Sequence, residues 1–91
     1  MLSINIIVIA DKKNMSEPYK TKDLGEAAAL VTKGLSFLAE FNGHVCWFVF
    51  ADTDKAKDLS EEYYFNGLLV DARQFKETTQ RLIQIIKTHR E

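Results

Sequence analysis

The chain has a single cysteine, which lies two residues after a histidine in the aromatic stretch FNGHVCWFVFAD at residues 41–52. A thiolate beside an imidazole is the pairing that cysteine nucleophiles use, and both groups ligate metals. His44 and Cys46 are two apart on a predicted strand, so their side chains point the same way and no third group orients them. A thiol among apolar neighbours behaves as a small hydrophobic group. We therefore predict that Cys46 belongs to the core and that His44 lies beside a turn.

A pair of aspartates, Asp52 and Asp54, follows the apolar strand in FVFADTD. Phosphotransferases of the haloacid-dehalogenase type place such a pair beside magnesium. A chain of 91 residues cannot supply the doubly wound sheet of those enzymes, and an EF-hand is excluded because Lys57 occupies its glycine position. Aspartate is also favoured at the start of a helix, where it accepts from free N–H groups. The sequence thus predicts helix capping here, with no catalytic residues, no metal site and no cofactor.

A third candidate is the C-terminal helix, predicted from about Ala72 to His89. Its apolar side carries Phe75, Leu82 and Ile86, and the opposite side is basic and amide-rich. Such a stripe contacts phosphates or base edges in nucleic-acid-binding proteins, and it is equally typical of a solvated helix face. Both interpretations stay open. The residues that would contact nucleic acid or another partner are Arg73, Lys76, Gln80 and Lys87.

A β-hairpin is predicted to carry the cysteine, because Asn42-Gly43 between two β-rich runs is the strongest short-range signal for a two-residue turn. With these residues in the turn, Phe41 pairs with His44, and the alternation along both strands defines two faces. We expect the hairpin to form the centre of the sheet. The predicted core face carries Leu35, Phe37, Ala39, Phe41, Cys46, Phe48 and Phe50. The second face carries four large apolar residues, Leu38, Val45, Trp47 and Val49.

Three helices accompany the hairpin. Asp23 or Thr21 is expected to cap the first, and Glu26 stands at capping-box spacing from Asp23. Gly34 is expected to end this helix. The second helix is predicted to be capped by Asp52 or Thr53 and to end at Gly67. The third is predicted to be capped by Asp71.

Residues 1–14 are predicted to be an N-terminal strand and a polar linker. The apolar run is far shorter than the roughly 20 residues that span a bilayer, and it lacks a basic region before it and a cleavage site after it. With one cysteine and a net charge of −1, we expect a cytoplasmic protein without membrane contact. The order β-α-β-β-α-α predicts a small α+β domain of two layers.

The segments YKTKDLGEAAALVTKG, CWFVFAD, LSEEYYFNG and VDARQFKETTQRLIQIIK, spread over residues 19–87, give the chain a recognisable pattern. This pattern resembles a short, uncharacterised domain family of prokaryotic and phage-related genomes. A chain of 91 residues makes one domain, and we predict that residues 15–91 form it. The resemblance implies no catalytic residues, because the family has no established activity. Residues 1–14 depart from the pattern, so whether they belong to the common domain stays open.

Taken together, these residues predict a non-enzymatic binding or assembly module that forms a homodimer. The apolar residues of the second hairpin face exceed what the predicted elements cover, and a monomer rarely exposes a large contiguous apolar patch. A two-fold contact centred on Trp47 would bury them, together with Leu38, Val45 and Val49. The competing arrangement is a monomer of three layers, in which the second helix crosses this face. The alternative function is a nucleic-acid-associated regulator that uses the C-terminal helix, and an unidentified protein partner is a further prediction.

Overall fold

The computed structural model describes residues 17–90 of the chain. It contains a three-stranded antiparallel sheet and three α-helices, and the order β-α-β-β-α-α confirms the predicted α+β class. The elements are β1 (Tyr19–Thr21), α1 (Leu24–Thr32), β2 (Leu38–Asn42), β3 (Val45–Phe50), α2 (Thr53–Glu61), a π-helical turn (Glu62–Asn66) and α3 (Ala72–Arg90). The strand predicted within residues 1–14 lies outside the described residues.

The first described strand is one that the sequence pattern did not predict. β1 pairs antiparallel with β3, so that Tyr19 lies opposite Phe50 and Thr21 opposite Phe48. The strand order is β1-β3-β2. The hairpin was predicted to form the centre of the sheet, but only one of its strands does, because β3 lies in the middle and β2 lies at an edge.

The hairpin forms, but with a different register from the predicted one. Phe41 pairs with Cys46, and Asn42 pairs with Val45, which leaves Gly43 and His44 as the turn. Gly43 has φ +64° at the first turn position, where both common two-residue hairpin turns require a positive φ. The predicted pairing of Phe41 with His44 is wrong by two residues. A shift of two keeps every side chain on its face, so the predicted faces survive.

Helix ends follow local chemistry. Asp23 and Asp71 accept from the backbone N–H groups three residues on, at 2.8 and 2.9 Å, and Asp52 does the same at 3.2 Å. After α1, the N–H of Gly34 bonds the carbonyl of Val31 and the next N–H bonds that of Leu30, which is a Schellman motif. The three predicted aspartate caps and the predicted stop of α1 are confirmed.

The second helix was predicted to continue as one α-helix to residue 66, but α2 ends at Glu61. After α2 the backbone widens into the π-helical turn, in which the N–H of Gly67 bonds the carbonyl of Glu62. Gly67 then leaves the turn with φ +68°, as predicted for the stop. From this turn the hydroxyl of Tyr64 reaches Glu26 of α1.

The core lies between the sheet and the helices. Phe48 and Phe50 on β3 are almost fully buried against Leu30 of α1 and Leu82 of α3. Ala56 of α2 belongs to the same buried cluster. All three described helices therefore pack on one face of the sheet, which makes a two-layer domain. The predicted three-layer monomer, with the second helix across the other face, is wrong for the described residues.

Candidate functional site

The second face of the sheet, which we call the outer face, bears the four apolar residues of the predicted self-association surface. Leu38 is 74% exposed and Val45 is 39% exposed, whereas Trp47 and Val49 are half-buried. Because Leu38 lies directly opposite Val49 in the ladder, the two are neighbours on this face. The structure thus places all four predicted residues on the same side of the sheet.

Polar side chains divide the outer face into two parts. Lys20 of β1 and Glu40 of β2 form an ion pair of 3.0 Å, and β3 lies between those strands. Lys20 is paired with Val49, and Glu40 with Trp47, so the ion pair passes over β3 between these two apolar residues. The Nζ of Lys22 lies 5.7 Å from the centre of the Trp47 ring, within the range of a cation–π contact. These side chains partly cover the middle of the face.

A groove opens at the end of the sheet where β3 ends. Its volume is about 360 Å³, and its lining is almost wholly apolar. Leu38 and Val49 form its border with the outer face. The remaining lining residues come from the segments that enter β1 and β2 and leave β3: Pro18, Ser36, Phe37 and Ala51. The outer face and the groove therefore form one continuous apolar region beside Leu38.

The predicted partner-contact stripe lies on the solvent side of α3. Arg73, Lys76, Gln80 and Lys87 are all exposed. Within residues 17–90 none of the three cations is in an ion pair with a described carboxylate. On the opposite side of the helix, Leu82 is buried and Phe75 packs against the core, so the predicted amphipathic arrangement of α3 is present.

The cysteine and histidine occupy different environments. Cys46 is 8% exposed on the core face, and burial raises the pKa of its thiol. His44 is exposed in the hairpin turn. The prediction that the thiol belongs to the core is confirmed.

The polar cluster that the structure assembles most completely was not predicted. Glu26 of α1 is 2% exposed, and its carboxylate accepts hydrogen bonds from four hydroxyl groups. Tyr19 donates at 2.5 Å and Thr21 at 2.6 Å from β1, while Tyr64 donates at 2.9 Å from the π-helical turn. Ser60 of α2 donates the fourth hydrogen bond. We call this group of five residues the Glu26 cluster.

Two opposing effects set the protonation of Glu26. Burial by itself raises the pKa of a carboxyl group, because it disfavours the charged form. Hydrogen bonds from Ser60, Thr21, Tyr19 and Tyr64 favour the charged form and outweigh burial, so the pKa of Glu26 lies below its ordinary value. Burial and the hydrogen bond to Glu26 raise the pKa of Tyr64. In the cluster Glu26 is therefore a charged carboxylate, and the hydroxyl groups that donate to it are neutral.

The capping-box spacing was the one sequence signal at Glu26, and only one of the two hydrogen bonds of a capping box forms. Asp23 accepts from the backbone N–H of Glu26, but the Glu26 side chain turns inward. The N–H of Asp23 bonds instead to the hydroxyl of Thr21, at 3.1 Å. The π-helical turn brings Tyr63 close as well, since a Cβ added at Gly25 would lie 2.5 Å from the Tyr63 hydroxyl. Pairing across 34 and 38 residues cannot be read from local spacing.

Among residues 17–90 no group of three or more histidine, cysteine, aspartate or glutamate side chains is placed to hold a metal ion. No described helix is long and apolar enough to cross a membrane. Comparisons of the chain with family models, with curated proteins and with solved structures find no match. The assignment of function therefore depends on the surfaces and the cluster described above.

Proposed function

We propose that this chain is a small, non-enzymatic binding module that associates with a second copy of itself through the outer face of its sheet. The observation that supports the proposal is the one-sided packing of the domain. All three described helices cover the core face, while Leu38, Val45, Trp47 and Val49 remain on the other side. Exposed apolar side chains that share one face of a small protein mark interaction sites.

A face-to-face contact is favoured over the addition of one sheet edge to another. β1 has three residues and follows Pro18, and short edge strands next to proline resist pairing with a second chain. A two-fold pairing of β2 about its middle residue would set two copies of Glu40 opposite each other, and opposed like charges are destabilising. Stacking of the two outer faces avoids both problems and buries the apolar side chains.

A binding role also agrees with the contacts of the chemically reactive side chains, which are structural. Glu26 is engaged by four hydroxyl groups, and Asp52 caps α2. The thiol of Cys46 is buried, with its pKa raised. Catalytic groups need a free position for substrate within hydrogen-bond distance, and these side chains are engaged in structural contacts.

Light scattering on the full chain tests the proposal. We expect a dimer at about 100 µM, a concentration that exceeds the dissociation constants of typical homodimers. Trp47→Glu should give a folded monomer, because it places a charge on the outer face. Phe65→Glu is the matched control, since Phe65 is 80% exposed and belongs to the π-helical turn rather than to the sheet, and this variant should remain a dimer. A wild-type monomer at about 100 µM would contradict the proposal.

The second candidate function, a nucleic-acid-associated regulator, is supported by the stripe on α3. Its cations Arg73, Lys76 and Lys87 lie on exposed positions of one long helix and are not paired with described carboxylates. Lysine and arginine in such positions contact phosphates. The salt dependence of binding, considered in the Discussion, tests this candidate.

A further inference from the structure

We propose that the groove beside Leu38 is the docking site of this chain's own residues 2–9, LSINIIVI, which lie outside the described residues. The described part of the chain begins at residue 17, and Pro18 already lines the groove. The apolar segment is therefore joined to the place where it docks. Docking there leaves Val45 and Trp47, nearer the hairpin turn, uncovered, so the proposal does not depend on self-association.

The segment has the residue pattern of an extended chain that buries one of its sides. Successive side chains of an extended chain point to opposite sides. The residues of one side are all apolar: Leu2, Ile4, Ile6 and Val8. The other side begins with two polar residues, Ser3 and Asn5, before Ile7 and Ile9. We therefore assign the wholly apolar side to the groove.

The groove and the segment agree in size. The groove runs from Pro18, before β1, across the end of β3 to Leu38 of β2. Two strand spacings, about 10 Å, separate β1 from β2, and the side chains from Ile4 to Val8 extend over about 13 Å of extended chain. An apolar cavity of roughly 150 Å³ holds a benzene molecule. The groove, at about 360 Å³, thus has room for two or three aliphatic side chains.

The connection lets the segment turn back and keeps it near the groove. Residues 10–17, ADKKNMSE, join Ile9 to Pro18 and are mostly polar. A flexible chain of this length has a root-mean-square end-to-end distance of about 16 Å, which exceeds the width of the groove. A tether this short gives the segment a local concentration in the millimolar range. Docking is therefore favoured even when the contact itself is small.

A tethered occupant also fits the small area of the groove. Its extent is about 10 Å across the strands and about 7 Å from Val49 to Ala51, or roughly 70 Å² in projection. Stable contacts between separate chains bury about 800 Å² of each partner, because association must compensate for lost translational and rotational freedom. A segment of the same chain loses far less of that freedom. The groove is thus suited to a segment that is already attached beside it.

Paramagnetic NMR on the full-length chain tests the proposal. Cys46→Ala removes the one native thiol, and Ser3→Cys carries a nitroxide spin label on the side of the segment that faces away from the groove. A nitroxide broadens the signals of nearby nuclei. We expect the amide signals of Leu38, Val49 and Ala51 to lose most of their intensity, whereas the signals of the exposed side of α3 keep theirs.

Two adjacent isoleucines provide matched variants. Ile6 belongs to the side assigned to the groove, and Ile7 belongs to the other side. Ile6→Ser should weaken docking at least about 10-fold, because an apolar side chain is no longer buried, and should restore the groove signals. Ile7→Ser should leave them low. Ala51→Lys, which places a charge at an exposed position of the groove lining, should also restore the remaining groove signals.

A mixed sample distinguishes the possible occupants of the groove. Isotope-labelled chain without a nitroxide is mixed with unlabelled chain that carries one. Broadening of the groove signals in this mixture would show that the segment of a second copy occupies the groove, which contradicts the proposal. Broadening confined to β1 or β2, with Val49 and Ala51 unaffected, would place the segment at a sheet edge and overturn it as well.

The remaining outcomes are equally definite. Groove signals that keep their intensity in the spin-labelled chain would show that residues 2–9 do not dock there. Equal effects of Ile6→Ser and Ile7→Ser would overturn the assigned side of the segment. A wild-type monomer in the light-scattering experiment would end the proposed self-association and leave the docked segment standing. Circular dichroism of each variant verifies that the fold is retained.

Discussion

The carboxylate of Glu26 joins separate parts of the chain at a single point. Tyr19 and Thr21 reach it from β1, Ser60 from α2 and Tyr64 from the π-helical turn. No described cation forms an ion pair with it within residues 17–90. Its negative charge is therefore stabilised by hydroxyl dipoles, and each hydroxyl depends on the carboxylate as its acceptor.

Replacement of this carboxylate should destabilise the fold. Glu26→Gln removes one acceptor oxygen and the negative charge, and we expect the free energy of unfolding to fall by about 2–4 kcal/mol, because hydrogen bonds to charged groups are lost inside the protein. Urea denaturation measures the change. Glu61→Gln, at an exposed position of α2, is the matched control and should change stability by less than about 0.5 kcal/mol. A loss below about 1 kcal/mol for Glu26→Gln would show that the cluster contributes little.

Acid should remove this contribution in a definite direction. Because the pKa of Glu26 is lowered in the folded protein, the carboxylate stabilises the fold fully above the pKa of the unfolded chain, about 4.3, and progressively less as the pH falls toward the folded value. The difference in stability between wild type and Glu26→Gln should thus be constant from about pH 7 to pH 5.5 and shrink toward about pH 3. A difference that grows on acidification would contradict the assigned charge state.

Cys46 is predicted to react slowly in the native protein. Cys46 is 8% exposed, and burial raises the pKa of its thiol. Both properties slow the reaction of its thiolate with a reagent. A disulfide reagent should label the unfolded chain in urea much faster than the folded chain at the same pH. Rapid labelling of the folded chain would return His44 and Cys46 to the list of candidate reactive groups.

Single residues could be placed from sequence where the governing contact is local. Asp23, Asp52 and Asp71 were predicted as caps from their positions before apolar periodic segments, and the backbone N–H groups that donate to them lie three residues away. The same local signal misread Glu26, because its hydroxyl donors come from residues 5 to 38 positions away. A buried carboxylate of this kind becomes visible only when the elements are packed.

At the scale of elements, alternation proved more reliable than turn position. The predicted faces of the hairpin are present although the register differs by two residues, because side-chain direction repeats every two residues. β1 was missed because three residues are too few to show a period of two. The π-helical turn was missed because the pattern that precedes Gly67 fits an α-helix equally well.

The assignment of the core face to β3 makes a quantitative prediction. Phe48 is 1% exposed and contacts Phe37 edge-on, with 6.0 Å between ring centres. Phe48→Ala should lower the free energy of unfolding by about 3–5 kcal/mol, which includes the cavity left behind. Phe65→Ala removes the same side chain from a position that is 80% exposed, so the change should stay within about 0.5 kcal/mol. Thermal or urea unfolding of the two variants measures the contrast.

For the whole molecule, the sequence predicted the α+β class and the two faces of the sheet, but not the arrangement around the outer face. The expectation that few predicted elements were left to cover it agrees with the packing of Leu30, Ala56 and Leu82 in one cluster. Lys20 and Lys22 were absent from the predicted surface because β1 was not recognised. Lys22 lies over the Trp47 ring, and Leu38 is the most exposed of the four apolar residues on this face.

The formal charge of the whole chain is −1, which gives no general attraction to a polyanion. Any binding of nucleic acid must therefore come from a local cluster of cations, and it should weaken steeply with salt because phosphate contacts release counterions. An apolar self-association contact has no such dependence, since salt does not screen the burial of apolar surface. Salt thus separates the two candidate functions in one protein.

If Arg73, Lys76 and Lys87 each neutralise one phosphate, the logarithm of the affinity for duplex DNA should fall with the logarithm of the salt concentration with a slope of about −2.7. Changing all three to alanine should abolish binding, since their positions on α3 are exposed and the fold does not depend on them. The matched control replaces Lys33, Lys55 and Lys57, three exposed lysines on other elements, and alters the net charge equally. Fluorescence anisotropy of a labelled duplex measures all three proteins. Equal weakening by both triple variants would mean that only overall charge matters, and no binding at low salt would exclude the α3 stripe as a nucleic-acid contact.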